Sequence, residues 1–346
     1  MKIAFLNIYN GVVERGSEVF VKELADQLSL RNNVCVFQSG KIEKAAYKTQ
    51  QIKGIPFIST QRFLYHFLVM VFTIKCLPYL YRDNYDWIIP VNGRLQSVIC
   101  RLLRAVKKNK ILITGHAGVG FEDKFNIIFG RPDIFIALTP LAHKWAKQYT
   151  ANTNYIPNGV DTGKFNPGVK PMKLDLKPPV ILCSSALLPY KRVDLVVQAV
   201  AKIPNAGLLL IGDGPLNEEI DTLGKKLLLG RFLHIKYVEH DKIAGFYAAS
   251  SLFTLVSKQS EAFGLVYLEA MACNKPIVVP DDLNRRQIIG KAGIFCDPEN
   301  IAEYANALDQ ALNNNWGNEP RRQAEKYSWG VIAHKYEDVC KRFLNS

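Results

Sequence analysis

Two glutamates bracket an apolar segment in the stretch SEAFGLVYLEAMACNKPIVVPDD, which runs from residue 260 to 282. Glu261 lies near its start, and Glu269 lies eight residues further on. A carboxylate accepts hydrogen bonds from hydroxyl groups, so Glu269 is a candidate partner for two ribose hydroxyls and Glu261 for a sugar. A glutamate pair at this spacing also occurs by chance, and packing alone is the alternative.

Between the two glutamates the sequence predicts the start of a helix. The run LFTLVS indicates a buried strand just before it, and the apolar spacing after Phe263 is helical. Unpaired amides at a helix start, together with the positive end of the helix dipole, favour an anion. Gly264 has no side chain to block close approach. We therefore predict that the backbone amides of Phe263, Gly264 and Leu265 cradle a diphosphate.

Two adjacent cations form a second candidate site. Lys191 and Arg192 lie in SSALLPYKRVDLVVQAV, between a predicted strand and a helix that begins near Val193. Each close pair of a cation and a phosphate charge contributes roughly 1–4 kcal/mol, depending on how much water is excluded. The guanidinium of Arg192 adds bidentate geometry. A solvated basic loop is the alternative interpretation of these two residues.

Two turns that contain glycine follow predicted strands. LLLIGDGP places Gly212 in a tight turn that either approaches a ligand or is only a turn. GVVERGSEVFVKELADQLSL places Gly16 before a helix that Ser17 would cap, with free amides suited to a phosphate or a sugar hydroxyl. The glycine spacing is not G-x-G-x-x-G, which disfavours a dinucleotide site and a nicotinamide-dependent oxidoreductase.

Parallel sheets would position these residues. Continuous rather than alternating hydrophobicity predicts strands that are covered on both faces. The predicted strands are KIAFLNI, VCVFQS, DWIIPV, KILITGH and IFIALTP in the first half, and PVILCSS, GLLLIGDG, LHIKYV, LFTLVS and PIVVPD in the second. A break rich in Pro, Gly and Asp at residues 156–179 separates two doubly wound α/β domains. In each domain we expect ligands to bind at the carboxyl ends of the strands.

Positive charge is concentrated in the first half of the chain. Residues 1–168 hold 22 Lys/Arg and 11 Asp/Glu, whereas residues 169–346 hold 22 and 20. This excess favours an anionic partner such as a phospholipid surface, a phosphorylated acceptor or nucleic acid, with general solubility as the alternative. The apolar stretch 63–81 is interrupted by Lys75 and Pro78, which predicts a buried or interfacial helix.

The cysteines and the N-terminal residues indicate a reducing compartment. The 7 cysteines are scattered and include no C-x-x-C pair, so we expect buried free thiols and no zinc site. The opening residues MKIAFLNIYN lack the long apolar run of a signal peptide.

Four segments, in this order, resemble the retaining glycosyltransferases of family 4, which have the two-domain GT-B fold. They are the loop at residues 16–18, IPNGVDTGKFNP, LLPYKRVDLVVQA with LLLIGDGP, and EAFGLVYLEAMACNKPIVV. The form SALLPYKRVD is similar to a branch that includes bacterial mannosyltransferases of polysaccharide assembly. The resemblance implies an acceptor-side domain at 1–168, onto which a helix at 329–346 packs back, and a donor-binding domain at 169–328.

The resemblance also implies roles for individual residues of the second domain. Glu261 matches the glutamate beside the donor sugar, and Glu269 matches the one that binds the ribose. Lys191 matches the lysine on the diphosphate. The backbone cradle of the family matches Phe263, Gly264 and Leu265.

In the first domain the resemblance points to two residues. Gly16 matches a glycine near the phosphates. His116, in ITGHAGVG, is similar to the histidine near the reacting centre, although a lone histidine is as often structural.

Three positions depart from the family pattern. Ala186 stands where an arginine is frequent, Gln287 where a glutamate is frequent, and Asn274 where a small residue is usual. These departures leave the donor open. They also motivate one alternative, a catalytically silent scaffold that binds a nucleotide sugar. A nucleotide-sugar epimerase on the same fold is the other alternative.

The resemblance implies transfer of a hexose from a nucleotide diphosphate sugar to a saccharide or lipid-linked saccharide acceptor, in the synthesis of cell-surface polysaccharide or glycolipid. GDP-mannose is favoured over a UDP-sugar as donor. No Asp-x-Asp pair occurs, so we expect no metal and no cofactor. Lys191, Arg192 and the helix start would neutralise the leaving group instead. We expect a cytoplasmic protein, with peripheral contact between its basic first domain and an anionic inner membrane face, and no nucleic-acid partner.

Overall fold

The computed structural model describes residues 1–13, 16–42, 44–55, 62–239, 241–258 and 263–344. The chain divides into two compact units. Unit 1 comprises residues 1–158 and 329–346, and unit 2 comprises residues 159–328. Each unit contains one fully parallel sheet with helices on both faces, as the hydrophobic runs predict.

Among its described residues, unit 1 has seven strands in the order β3-β2-β1-β4-β5-β6-β7. Their bounds are β1 Lys2–Leu6, β2 Asn33–Gln38, β3 Lys48–Gln51, β4 Trp87–Pro90, β5 Lys110–Gly115, β6 Ile134–Ala137 and β7 Thr153–Tyr155. The helices between them are α1 Gly16–Ser29, α2 Arg62–Asp83, α3 Leu95–Arg104, α4 Phe121–Gly130 and α5 Pro140–Ala146. The chain order reverses between β1 and β4, which makes the carboxyl ends of these two strands the switch point of the sheet.

The two faces of the first sheet carry separate cores. Buried residues of α2, α3, α4 and α5 share one apolar cluster with strand residues such as Phe37 and Phe135. Buried residues of α1 form the other cluster, together with a C-terminal helix of unit 1 at Trp329–Leu344. That helix begins at the predicted residue and packs on α1, with the rings of Phe20 and Trp329 5.9 Å apart.

In the described part of unit 2, six strands follow the order β10-β9-β8-β11-β12-β13. Their bounds are β8 Val180–Ser184, β9 Gly207–Ile211, β10 Phe232–Ile235, β11 Leu252–Thr254, β12 Ile277–Pro280 and β13 Gly293–Cys296. The helices are α6 Val193–Ala201, α7 Asn217–Leu228, α8 Ile243–Ala249, α9 Leu265–Ala272, α10 Leu283–Ile289, α11 Ile301–Asn313 and α12 Glu319–Glu325, and the C-terminal helix of unit 1 is α13. The switch point lies between β8 and β11.

The boundary between the units differs from the predicted one. The sequence places it after residue 168, whereas the contacts place it between Asn158 and Gly159. The reason is that the following residues are tied into unit 2. The amide of Val160 donates to the carbonyl of Tyr327 at 2.9 Å, and the ring of Phe165 lies 5.9 Å from that of Tyr247.

Candidate functional site

The predicted site residues fall into one group in each unit, and both groups follow strands at their carboxyl ends. In unit 2 the segment that ends in Lys191 follows β8, and the segment that contains Gly264 follows β11. These two strands are hydrogen-bonded neighbours on either side of the switch point. The fold therefore brings the two predicted phosphate-binding segments to one place. Glu261 lies outside the described residues.

Lys191 ends a single 3₁₀ turn at Pro189–Lys191, which directly precedes α6. The turn is closed by the amide of Lys191, which donates to the carbonyl of Leu188 at 2.9 Å. The side chain is largely buried, and its Nζ lies 5.2 Å from the centre of the Tyr190 ring. An ammonium group with so little access to water interacts strongly with a bound anion.

The Gly212 turn after β9 packs against the segment that leads to Lys191. A Cβ on Gly212, whose φ is +144°, would lie 1.8 Å from the carbonyl oxygen of Ser185. The amide of Leu187 donates to the carbonyl of Asp213 at 2.9 Å. Close packing of two loops is therefore a sufficient reason for the glycine, and it supports the interpretation as a turn. The contact also places this turn beside the Lys191 segment.

Arg192 has protein partners of its own. Its Nε donates to the carbonyl of Val256 at 2.7 Å, and its Nη1 lies 3.0 Å from Oε1 of Glu299. The guanidinium thus ties the β8 loop to the chain that leaves β11. Its predicted role on a diphosphate has to compete with these partners. Arg192 and Glu299 also line a cavity of about 680 Å³ beyond β12 and β13.

Helix α9 begins within two residues of the predicted start. It runs from Leu265 to Ala272, with Gly264 as its N-cap at a φ of +83°. A Cβ on Gly264 would lie 2.5 Å from the ring of Tyr267, one turn into the helix. Because the first amides of a helix have no acceptor within it, the start of α9 offers donors at the switch point.

Glu269 lies about one turn after Leu265, the first residue of α9. The hydroxyl of Tyr247 donates to its Oε2 at 2.8 Å. Burial raises the pKa of the Glu269 carboxyl, and the hydrogen bond from Tyr247 and the nearby charge of Lys164 oppose that shift. Lys164 and Phe165 belong to a segment that we predicted to be a linker. The structure places Lys164 near Glu269 and the ring of Phe165 beside that of Tyr247, which the sequence did not predict.

Arg285 is a site residue that sequence reasoning missed. Its Nη2 donates to the carbonyl of Ser257 at 2.6 Å and to its hydroxyl at 3.0 Å. Its Nε donates to the hydroxyl of Tyr267 at 3.2 Å, and it forms a buried ion pair with Asp282. Asp282 also caps α10. The Asp-x-x-Arg spacing after PIVVP was the available signal. This network fixes the chain that precedes residues 259–262.

In unit 1 the structure brings the Gly16 and His116 segments together. Gly16 is the first residue of α1, and Phe20 on that helix contacts the ring of His116 edge-on at 4.5 Å. Within the described part of the chain, Nε2 of His116 is buried and has no hydrogen-bond partner. Burial lowers the pKa of His116 to about 4, so the imidazole is neutral near pH 7. Ser17 lies inside the helix and not at its N-cap as predicted, because α1 already begins at Gly16.

A buried carboxylate supports the loop that carries His116. Asp123, in the first turn of α4, is 3% exposed. Burial raises its pKa to about 7, although hydrogen bonds from Asn126 and from the backbone of Gly118 and Ala117 favour the ionised form. A Cβ on Gly115 would lie 2.7 Å from its Oδ2. No sequence motif singles out Asp123.

The structure tests the prediction about the cysteines but does not test the expected absence of a metal. All seven cysteines are free and buried, which confirms the expectation of unpaired thiols. Over the described ranges, no group of three or more His, Cys, Asp or Glu side chains is placed to hold a metal ion.

Comparison with known proteins finds similarity over part of the chain. Residues 169–328 match the family model described as Glycosyl transferases group 1. The sulfoquinovosyl transferase SQD2 of Arabidopsis thaliana is 27% identical over 51% of this chain and 37% of its own. The N-acetyl-alpha-D-glucosaminyl L-malate synthase of Bacillus anthracis is 36% identical over 43% of this chain and 42% of its own. A GDP-mannose-dependent phosphatidylinositol monomannoside mannosyltransferase of Mycolicibacterium smegmatis is 25% identical over 51% of this chain and 50% of its own. The alignments thus span half or less of these relatives' lengths.

Solved structures match the whole fold. Sucrose-phosphate synthase from Thermosynechococcus elongatus has a TM-score of 0.82 at 20% identity and covers 99% of both chains. The Anabaena protein HepE, solved in complex with UDP and glucose, has a TM-score of 0.75 at 19% identity and also covers 99% of both chains. At these identities the likeness establishes a shared architecture.

Proposed function

We propose that this chain, which has the GT-B fold and whose residues 169–328 match the family model of the glycosyl transferases group 1, transfers a hexose from a nucleotide diphosphate sugar to an acceptor hydroxyl. The observation that carries the proposal is the switch point of the second sheet. There the largely buried Lys191, the start of α9 and the hydrogen-bonded Glu269 lie at the carboxyl ends of two neighbouring strands.

The chemistry proposed for this switch point is stabilisation of a leaving group. Lys191 and the first amides of α9 would take up the negative charge that develops on the departing nucleoside diphosphate. Glu269 would accept hydrogen bonds from the ribose. Glu261 would orient the sugar, and the neutral imidazole of His116 would lie near the reacting centre.

The stereochemical course and the metal requirement follow from the same proposal. We expect retention, through a pathway in which the leaving phosphate helps to deprotonate the acceptor hydroxyl. We also expect transfer without a metal, because Lys191 and a helix dipole would supply the positive charge.

The donor and the acceptor are proposed by class. GDP-mannose is the proposed donor, supported by the SALLPYKRVD form and by relatives named as GDP-mannose-dependent enzymes. A UDP-sugar is the alternative, and a structural neighbour was solved with UDP and glucose. The proposed acceptor is a saccharide or a lipid-linked saccharide of cell-surface polysaccharide or glycolipid synthesis. The proposed location is the cytoplasm, on the inner face of the plasma membrane.

Release of nucleoside diphosphate from a panel of nucleotide sugars tests the reaction. Wild type should release it from one donor, and the release should survive EDTA. Glu261→Ala should lower the rate by at least 100-fold, a loss of about 3 kcal/mol of transition-state stabilisation. Glu239→Ala changes an exposed glutamate that pairs with Lys242, and it should leave the rate unchanged.

Three results would contradict the proposal. Equal rates in wild type and Glu261→Ala would exclude a role for that glutamate. Activity restored only by Mg²⁺ or Mn²⁺ after chelation would exclude metal-independent transfer. Conversion of the free donor into another nucleotide sugar, with no acceptor present, would favour the epimerase.

A further inference from the structure

Helix α2 exposes a stripe of apolar side chains along its outer face. Its inner residues, among them Phe72 and Leu80, pack into the core of unit 1. The outward residues at 63, 67, 74 and 81 recur at intervals of four and seven, which places them on one face of the helix. These four side chains, each at least 48% exposed, are Phe63, Phe67, Ile74 and Tyr81.

The two neighbouring helices repeat the pattern. The large exposed side chains of α3 are Leu95 and Leu102, followed by Val106 just past its end, and those of α4 are Phe121, Ile128 and Phe129. All three helices bury their inner sides in one core cluster, so they lie on the same side of the sheet. We call the ten exposed apolar residues of these segments, with the Lys and Arg side chains among them, the α2–α4 face.

Contacts between the helices make the face continuous. Nη1 of Arg101 on α3 donates to the carbonyl of Phe129 on α4 at 3.1 Å. Lys107, just after α3, lies 4.0 Å above the ring of Tyr81 on α2. Exposed large apolar side chains that are grouped on neighbouring helices, in contrast to singly scattered ones, indicate a binding partner.

The charge of these segments is strongly positive. Residues 62–131 contain 11 Lys/Arg and four Asp/Glu. Each of the four acids is already engaged. Asp83 pairs with Arg82 and Glu122 with Arg94, Asp86 accepts the amide of Lys2, and Asp123 is buried.

We propose that the α2–α4 face docks on a bilayer that contains anionic phospholipid, with its aromatic and aliphatic side chains in the headgroup region. Amphipathic helices with Phe or Leu on one side and flanking Lys and Arg bind membranes in this way. Basic residues near an anionic surface strengthen this binding. A second copy of the chain would bring two basic faces together, so like-charge repulsion disfavours that occupant.

Docking on the surface suits α2 better than crossing the membrane. Among the helices of the described residues, the one from Phe63 to Asp83 is long and apolar enough to span a bilayer. However, its inner face, with Leu68, Val69 and Cys76, is packed against the sheet. A span would strip those residues from the core, whereas docking uses only the side that is already exposed.

The face adjoins the edge of unit 1 that carries His116. Because α3 and α4 each begin just past the carboxyl end of a strand, Leu95 and Phe121 lie at that edge. Docking would therefore deliver an acceptor with a lipid anchor to the predicted reacting edge. This part deepens the proposed membrane location and rests on the proposed function. Binding to vesicles needs neither donor nor acceptor, so its failure would leave the transfer reaction standing.

Co-flotation with vesicles tests the docking. Wild type should float with vesicles of phosphatidylcholine and 30% phosphatidylglycerol but not with phosphatidylcholine alone, and binding should fall steeply between 0.05 and 0.5 M salt. At the lower salt concentration surface charges interact over roughly 10 Å or more, and at the higher one they are largely screened. Leu102→Glu, at 65% exposure on α3, should lower the bound fraction at least five-fold.

Leu30→Glu is the matched control. Leu30 is 67% exposed and follows α1, which packs on the opposite side of the same sheet, so this variant should bind like wild type. Ile74→Glu on α2 provides a second variant, and circular dichroism confirms that each variant is folded. Equal binding by Leu102→Glu and Leu30→Glu would overturn the proposal. Equal binding to both vesicle types, no binding by wild type, or a dimer that Leu102→Glu abolishes would also overturn it.

Discussion

The backbone conformation of Gly264 determines the geometry of the candidate diphosphate cradle. Its φ of +83° lies in the left-handed region, and an added Cβ would lie 2.5 Å from the Tyr267 ring. Tyr267 in turn donates to the carbonyl of Leu255 at 3.1 Å and accepts from Arg285. A side chain at position 264 would therefore disturb both the helix start and the chain after β11.

Gly264→Ala should destabilise the protein more than Gly230→Ala. Both glycines have nearly the same φ, +83° and +85°, but a Cβ on Gly230 meets nothing within 4 Å. The left-handed conformation costs an alanine about 1–2 kcal/mol at either position. The clash with Tyr267 should add roughly 1–3 kcal/mol at position 264 only. Urea unfolding followed by circular dichroism measures the difference, and equal losses would show that the Tyr267 ring moves aside freely.

At the scale of elements, Arg285 on α10 connects three segments around the switch point of unit 2. It bonds Ser257 after β11, Tyr267 on α9 and Asp282 at the start of its own helix. The next residue, Arg286, differs from Arg285 in its exposure to solvent. Arg286 is largely exposed and pairs with the exposed Asp281.

Arg285→Ala should therefore cost about 3–5 kcal/mol of unfolding free energy, because it leaves the buried Asp282 without its partner. Arg286→Ala should change stability little, since exposed ion pairs contribute little. The comparison uses urea unfolding of the two variants. A loss from Arg286→Ala as large as that from Arg285→Ala would contradict the buried network.

The elements also show how far the sequence predicts the fold. Ten strands were predicted from apolar runs, and all ten are confirmed, although β10 is only half-buried. The three that were missed are β3, β7 and β13, each at the edge of its sheet. An edge strand pairs on one side only, so it needs no continuous apolar run; β3 reads KTQQ and β7 reads TNY. Their positions depend on contacts with distant segments, which a local pattern does not contain.

The sequence singled out some residues of the candidate site and missed others. Lys191, Gly264 and Glu269 could be singled out because each follows a predicted strand at a recognisable spacing. Arg285 and Asp123 were not singled out, because their importance comes from burial, which a local sequence pattern does not show. For Arg285 the Asp-x-x-Arg spacing was the one local signal. The ion pair between Arg192 and Glu299 joins residues 107 positions apart, and no local pattern predicts it.

At the scale of the whole molecule, the chain repeats one architecture with two different surfaces. Both units are parallel sheets with a switch point, yet residues 1–168 carry twice as many basic as acidic residues and residues 169–346 are nearly balanced. We assign the acceptor and membrane contacts to the basic unit and the donor to the other. The group 1 family match covers residues 169–328, which lie in the unit to which we assign the donor.

The central claim is that unit 2 binds a nucleotide diphosphate sugar at Lys191, and thermal unfolding with a panel of nucleotide sugars tests it most directly. A ligand at about 100 times its dissociation constant adds about 2.7 kcal/mol to stability, so the midpoint should rise by several degrees with one donor. The rise should disappear in Lys191→Ala and persist in Lys226→Ala, which changes an exposed lysine on α7. No rise with any nucleotide sugar, or an equal rise in Lys191→Ala and wild type, would contradict the account.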